Sequence, residues 1–554
     1  MVNTVPAEGA SNASASGKIV LTFDKRIKAA EGATATLGEQ KLEPVVFGKT
    51  MTFAYKNLNY DTDYTFNLPA GAVTNLSDIA TEQAITINFR TMLKPVVTKA
   101  LYDFVVPTDG TMEAAIAAAD SREDKSKRFR IFVMDGTYKL PQSKTATINC
   151  DNGKTYPSPI TNINSSNISI IGESRDGAIV TNSITEDKFT DKFGTKSVYE
   201  GIGKSDVLQI QGSVSGIYFQ DITIKTGLGD KNGRDIAVQD KGTKTIYKNV
   251  CLHGYQDTWV SNKESGLYYF EGGRLRGRTD FLCGKGDAYY NAVDLVMCEK
   301  GGYLAVPSQS NKYGYVFKDC VIKGEADDID GNYTLGRPWG NGTPSALYID
   351  TRMEVQPSAI GWNEMGDGWP KRFAEYNSTT KTGTVIDLSS RKKTFSDNHP
   401  NNPVLSAEEA AEAADMTNMF GDWQPTLYTE QAQAPANVSI DGTALTWAES
   451  NYVLLWAVCK NGKVVAFTTE PSYTADDATA TWSVRAANEM GGLSEATIAT
   501  IGSAISTVNA EGTNAIKTEY FNLQGIRVNE SYRGTVIRVE TMENGSKTTT
   551  KLNR

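Results

Sequence analysis

Two short stretches hold residues able to do chemistry together: GYQDTWV, Gly254 to Val260, and TDFLCG, Thr279 to Gly284, each with one aspartate, Asp257 and Asp280. Two carboxylates held side by side cannot both ionise freely, so one pKa is expected to rise and the other to fall. Such a pair suits one ionised nucleophile and one protonated acid. Gln256, beside Asp257, offers an amide donor. Further on, GRPWG supplies Arg337, a cation able to hold a carboxylate, and Trp339, a ring able to pack on a sugar. Tyr255 and Trp259 are further aromatic candidates for sugar stacking, although buried aromatics are the commoner case.

The elements that would bring these residues together form an internal repeat. The hexads FQDITI, YKNVCL, FEGGRL, YNAVDL and FKDCVI begin at Phe219, Tyr247, Phe270, Tyr290 and Phe317, spaced 28, 23, 20 and 27 residues apart. Each runs aromatic, polar, small or Asn/Asp, small or aliphatic, variable, then Ile or Leu. One aliphatic strand per 20–28 residues signals a stacked solenoid, here a parallel β-helix. Asp257 and Asp280 each lie ten residues after their coil's aromatic. They are therefore expected in the same register on adjacent coils, about 4.8 Å apart. The same count lands on Gly229 in the coil before and Lys300 in the coil after, which argues against a purely structural ladder of aspartates.

The bulk properties fit this reading. The 554-residue chain is long enough for three or four domains, carries a net charge of −9 and has no basic block, which disfavours a nucleic-acid or anionic-membrane partner. No apolar run is long enough to span a bilayer. Six cysteines without a CxxC pair read as buried thiols, and two histidines leave little room for a histidine zinc site. Residues 1–94 read as a β-sandwich resembling bacterial Ig-like domains, and 95–430 as the β-helix. Within the latter, Thr111 is expected to cap a helix over MEAAIAAADS, and LSAEEAAEAADMTNMF, Leu405 to Phe420, a helix over the solenoid's end. Residues 431–503 resemble a fibronectin type III module, and 504–554 resemble C-terminal β-modules of secreted Bacteroidetes proteins, for which a sorting role is implied. The polar N-terminus lacks an apolar signal region, so either the protein is cytosolic or a signal peptide has been removed from this sequence; the modules at both ends favour the second, a secreted, periplasmic or cell-surface protein.

With GYQDT, DFLCG and LGRPW in this order and spacing, residues of about 95–425 resemble pectin methylesterases of the right-handed β-helix type. The implied fold class is mainly β, a parallel β-helix flanked by small β-sandwich modules. The implied activity is hydrolysis of galacturonate methyl esters in pectin, with no metal or cofactor. By this resemblance Asp280 matches the nucleophile, Asp257 the general acid and then base, and Gln256 an oxyanion donor. Arg337 matches the residue that orients the nucleophile, and Trp339 a sugar subsite. There are departures. Leu140 stands where DGTYKL would end in Glu, Val260 replaces a tyrosine and Cys283 an aromatic residue. The second oxyanion glutamine maps onto Arg234, with Gln239 nearby but out of register, so either Arg234 donates instead or the local alignment slips. Rival readings are a β-helix polygalacturonase or pectate lyase, or a non-catalytic polysaccharide-binding surface protein. The sequence is silent on oligomeric state, with a monomer as the default.

Overall fold

The fold is known from a computed structural model, which describes residues 1–93, 101–501 and 515–553, apart from 14, 16, 56–57, 185–186, 192–193, 451–452, 523–525, 530–531, 533–534 and 543–546. The expected domain boundaries at 94–95 and 503–504 fall outside the described residues.

Three parallel sheets of ten, nine and seven strands wind residues 104–380 into a right-handed β-helix. A full coil contributes one strand to each sheet; the coil carrying Asp257, for example, runs through Thr245–Lys248, Cys251–His253 and Trp259–Ser261. The hexad register is the one expected. Phe219 pairs with Tyr247, Tyr247 with Phe270, Phe270 with Tyr290 and Tyr290 with Phe317. Their rings stack inside the helix with centroids 5.2, 4.4, 4.7 and 4.5 Å apart.

The hexad is not one straight strand, although its fourth and sixth residues both enter the interior core, as with Ile222 and Ile224 or Val250 and Leu252. The hexad straddles a corner between the ten- and nine-stranded sheets. Its third residue makes the turn in the left-handed region: Asp221 (φ 51°), Asn249 (48°), Gly272 (61°), Ala292 (54°) and Asp319 (55°). That explains the recurrence of Asp, Asn and Gly at this position, since these residues tolerate positive φ.

The N-terminal end of the solenoid is closed by the helix Met112–Ser121, capped by Thr111, whose Oγ1 accepts from the Ala114 N–H at 3.1 Å. Its Met112, Ala115, Ile116 and Ala119 join the interior core. The helix expected over 405–420 is two pieces, Ala407–Ala414 and Met416–Phe420, broken where Asp415 caps the second. It does not cover the solenoid's end. Its apolar face lies against the outer side of the ten-stranded sheet with Tyr269, Tyr289 and Val316, and the Tyr289 hydroxyl donates to the Ala414 carbonyl at 2.9 Å.

The N-terminal residues form a two-sheet sandwich of four and five strands. A second sandwich of two four-stranded sheets spans Ser439–Ile501, and a four-stranded antiparallel sheet spans Ala515–Asn553. No helix is long and apolar enough to cross a membrane among the described residues.

Candidate active site

Asp257 precedes the seven-stranded sheet's strand Trp259–Ser261, and Asp280 opens its neighbour Thr279–Gly284. Gln256 bridges Thr279, Val260 pairs with Cys283, and the Asp257 N–H donates to the Thr279 carbonyl at 3.0 Å. The two aspartates are therefore adjacent rungs. Both stand in left-handed backbone, φ 59° and 52°. The motif glycines follow from close packing. A Cβ on Gly254 would stand 2.2 Å from the Asp235 carbonyl oxygen, and one on Gly284, at φ 117°, would stand 1.9 Å from that of Ser261.

Counting ten residues fails outside the pair. Arg234 bridges Gln256, so the residue level with Asp257 in the preceding coil is Asp235, not Gly229. The loop there is longer, and in the following coil the register shifts so that Thr279 pairs with Tyr303. Asp235 is nonetheless not a third member of the site. Its φ is not positive, and its carboxyl faces Thr226, Asp230 and Arg276 rather than Asp257.

Arg337 clamps Asp280 side-on: Nε donates to Oδ1 at 2.9 Å and Nη2 to Oδ2 at 2.7 Å. The guanidinium stacks 3.9 Å over the Tyr303 ring. Asp257 has weaker partners. Arg234 Nε stands 3.0 Å from Oδ2 as an ion pair without hydrogen-bond alignment, and the Cys283 thiol points at Oδ1 from 3.7 Å. Burial first, then the neighbouring Asp280, push the Asp257 carboxyl up to about 7, against the pull of Arg234. Burial also raises Asp280, but the Arg337 hydrogen bonds oppose it. The expectation that one pKa would fall is thus corrected: both rise, because both carboxyls are desolvated, and the clamp makes Asp280 the one that ionises first.

Gln256 is half-buried on the rung between Arg234 and Thr279. Arg234 is 40% exposed, and its terminal nitrogens have no protein partner among the described residues. Trp339 is 41% exposed, as a sugar platform requires. The two further aromatic expectations, Trp259 and Tyr255, fare differently. Trp259 is fully buried, wedged edge-on against Tyr268 and Phe270 with its indole N–H on the Tyr247 hydroxyl at 3.2 Å, so it is core and not a substrate contact. Tyr255 is half-buried, and its hydroxyl is committed to Glu299 at 2.8 Å. Trp362 is fully buried, and Trp369 stacks on His399 at 3.7 Å. Gln239 is buried, level with Val260, and its side-chain oxygen accepts from Gln209 Nε2 at 2.5 Å, so it does not replace the missing glutamine. His253 sits on the nine-stranded sheet between Lys225 and Arg276, and burial lowers its pKa to about 4.

Sequence reasoning missed Tyr303, which the Thr279 register alone reveals. It also missed Ile202 and Met365, which pack on Val260, Cys283 and Val306 beside the aspartates. Both come from loops, where no periodicity points to them. All six cysteines are free thiols, five of them buried.

The pectinesterase family model matches residues 103–412, and a bacterial Ig-like domain model matches residues 1–91. The chain is 26% identical to pectinesterase A of Dickeya dadantii over 354 residues, which cover 56% of this chain and 92% of that protein. It is 27% identical to pectinesterase A of Emericella nidulans over 175 residues, 31% of this chain and about half (51%) of that protein. The solved pectin methylesterase from carrot is 16% identical and aligns over 60% of this chain and 98% of its own, with a TM-score of 0.46.

Proposed function

The chain belongs to the pectinesterase family, and from that premise we propose that it hydrolyses the methyl esters of galacturonate units in pectin, with Asp280 as nucleophile and Asp257 as acid and base. The observation that carries this reading is the unequal treatment of two carboxyls on adjacent rungs, Asp280 clamped by Arg337 and Asp257 pushed up to about 7.

In the first step an Asp280 oxygen attacks the ester carbonyl carbon. The carbonyl π pair moves to oxygen, and that oxyanion takes hydrogen bonds from the Gln256 amide and from the free guanidinium nitrogens of Arg234. Collapse breaks the bond to the methoxy oxygen, which takes the proton of Asp257 and leaves as methanol. What remains is an anhydride between Asp280 and the galacturonyl group. Asp257, now ionised, removes a proton from water as it attacks the galacturonyl carbon. The Asp280 carboxylate departs, Asp257 is again protonated, and the galacturonic acid formed loses its remaining proton to solvent as galacturonate. Arg337 keeps Asp280 ionised and oriented throughout, and Trp339 packs on a sugar ring. Cys283 supports Asp257 without acting as a nucleophile, since burial drives its thiol well above the ordinary range.

A substrate outside the cell and the Ig-like module support an exported protein. Incubation with highly esterified pectin tests the activity: methanol release with unchanged chain length is expected. Chain shortening or unsaturated products without methanol would contradict the reading and favour a polygalacturonase or lyase.

A further inference from the structure

On the coils that precede Asp257, where the nine-stranded sheet turns toward the seven-stranded one, lies a cavity of about 450 Å³ lined by Lys139, Asn182, Lys188, Ser197, Leu228 and Asn232, among others. Its walls are fixed by Asn182, which is fully buried. The Asn182 side-chain oxygen accepts from the Gly227 N–H at 2.9 Å, and its side-chain Nδ2 donates to the Ser205 carbonyl at 2.9 Å. No carboxylate among the described residues lines this cavity. Two acids on neighbouring loops are engaged elsewhere, Asp230 with Arg276 at 2.7 Å and Glu200 with Lys196 at 3.7 Å.

The cations are not so engaged. Lys139 has no ion-pair or hydrogen-bond partner among the described residues, and Lys188 makes one bond, to the Asn232 side-chain oxygen at 3.1 Å. Among the described residues neither ammonium group forms an ion pair, which is unexpected for two lysines lining one cleft in a chain of net charge −9.

The cavity and the candidate active site share a corner of the helix and a loop. The segment that supplies Leu228 and Asn232 to the cavity continues into Arg234. The strands Gly136–Leu140, Ala178–Asn182, Thr223–Lys225 and Cys251–His253 are successive rungs. At about 4.8 Å per rung, the cavity is set one to three coils, about 5–15 Å along the solenoid axis, before the coil of Asp257. A polymer running along the stack with one ester at Asp280 would bring one of its preceding or following sugars level with the cavity.

We propose that this cavity is a subsite for the free carboxylate of a galacturonate unit, bound between Lys139 and Lys188 while an esterified unit of the same chain occupies the catalytic pair. The proposal rests on the pectin-ester reading. A methyl-esterified unit offers these lysines no charge, whereas a unit already hydrolysed does. The subsite thus favours pectin that is part-way de-esterified over pectin that is fully esterified.

Calorimetry with two hexamers of galacturonate, one fully de-esterified and one fully methyl-esterified, tests this on the full-length protein and on the Lys139→Gln/Lys188→Gln double variant. Both lysines are exposed, so folding is checked by an unchanged melting temperature. The acid hexamer is expected to lose about three- to tenfold in affinity in the variant, less at high salt, with little change for the ester. Equal affinities for the acid hexamer in both proteins would overturn the subsite, as would equal weakening for the ester. Inorganic phosphate displacing the acid hexamer as well as free acid hexamer does would show capture of any anion and also overturn it. Should the wild-type protein release no methanol from any pectin, the esterase reading fails on its own, and the binding comparison still decides the subsite.

Discussion

At the scale of the residue, the site separates two chemically identical groups by what each touches. Asp280 has two aligned guanidinium donors, whereas Asp257 has a half-exposed ion pair and a thiol. A carboxyl whose folded pKa is raised favours the folded state only while it is protonated. The penalty for ionising buried Asp257 is absent below about pH 4 and grows as pH rises toward its folded value of about 7. Asp257→Asn should therefore leave stability near that of the wild type at pH 4 and raise it at pH 8, by up to about 4 kcal/mol. Chemical denaturation at the two pH values checks this, and a gain independent of pH would contradict it. Asp257, Asp280, Gln256 and Arg337 were legible in the sequence because short motifs and a fixed count from the aromatic residues point to them. Tyr303, Ile202 and Met365 were not, because loop lengths change around them and the count breaks. Trp259 was misread for a physical reason: on the strand after Asp257, every second side chain turns into the solenoid.

At the scale of the element, the hexad was legible as a repeat before its geometry was. Stacked rings explain its first position. The left-handed corner explains its third, which linear strand reasoning could not supply. Four of the five corners carry Asp, Asn or Gly, and the fifth carries Ala292 at φ 54°, exposed and without a side-chain hydrogen bond to offset the strain. Ala292→Gly should therefore stabilise the protein by about 1 kcal/mol, since glycine carries no Cβ penalty in this region. A loss of stability in a denaturation experiment would show that this corner is not strained. The helix at Ala407–Ala414 was legible from its capping box, Ser406 with Glu409. Its resting place along the sheet was not, because an alanine-rich face fits any smooth apolar surface.

At the scale of the whole molecule, the flanking modules were read as appended units, yet they share core with the solenoid. Leu454, Leu455, Met490 and Leu493 of the second sandwich join Phe132, Ile171 and Tyr218 on the outer side of the ten-stranded sheet. The Tyr102 hydroxyl reaches the Gly491 carbonyl at 2.6 Å, and Arg485 reaches the Glu173 carbonyl at 3.0 Å. Ala15 of the N-terminal sandwich packs into the second sandwich's own core. Activity is therefore best measured on the full chain, where the coils carrying Asp257 and Asp280 keep these supports. The most direct measurement compares methanol release from highly esterified pectin by the wild-type protein and by Asp280→Asn, alongside calorimetric affinity for a methyl-esterified hexamer. The account predicts that the variant loses turnover by about 10⁴-fold or more while its affinity changes less than about threefold. Turnover within about tenfold of the wild type would contradict the assignment of Asp280 as the nucleophile.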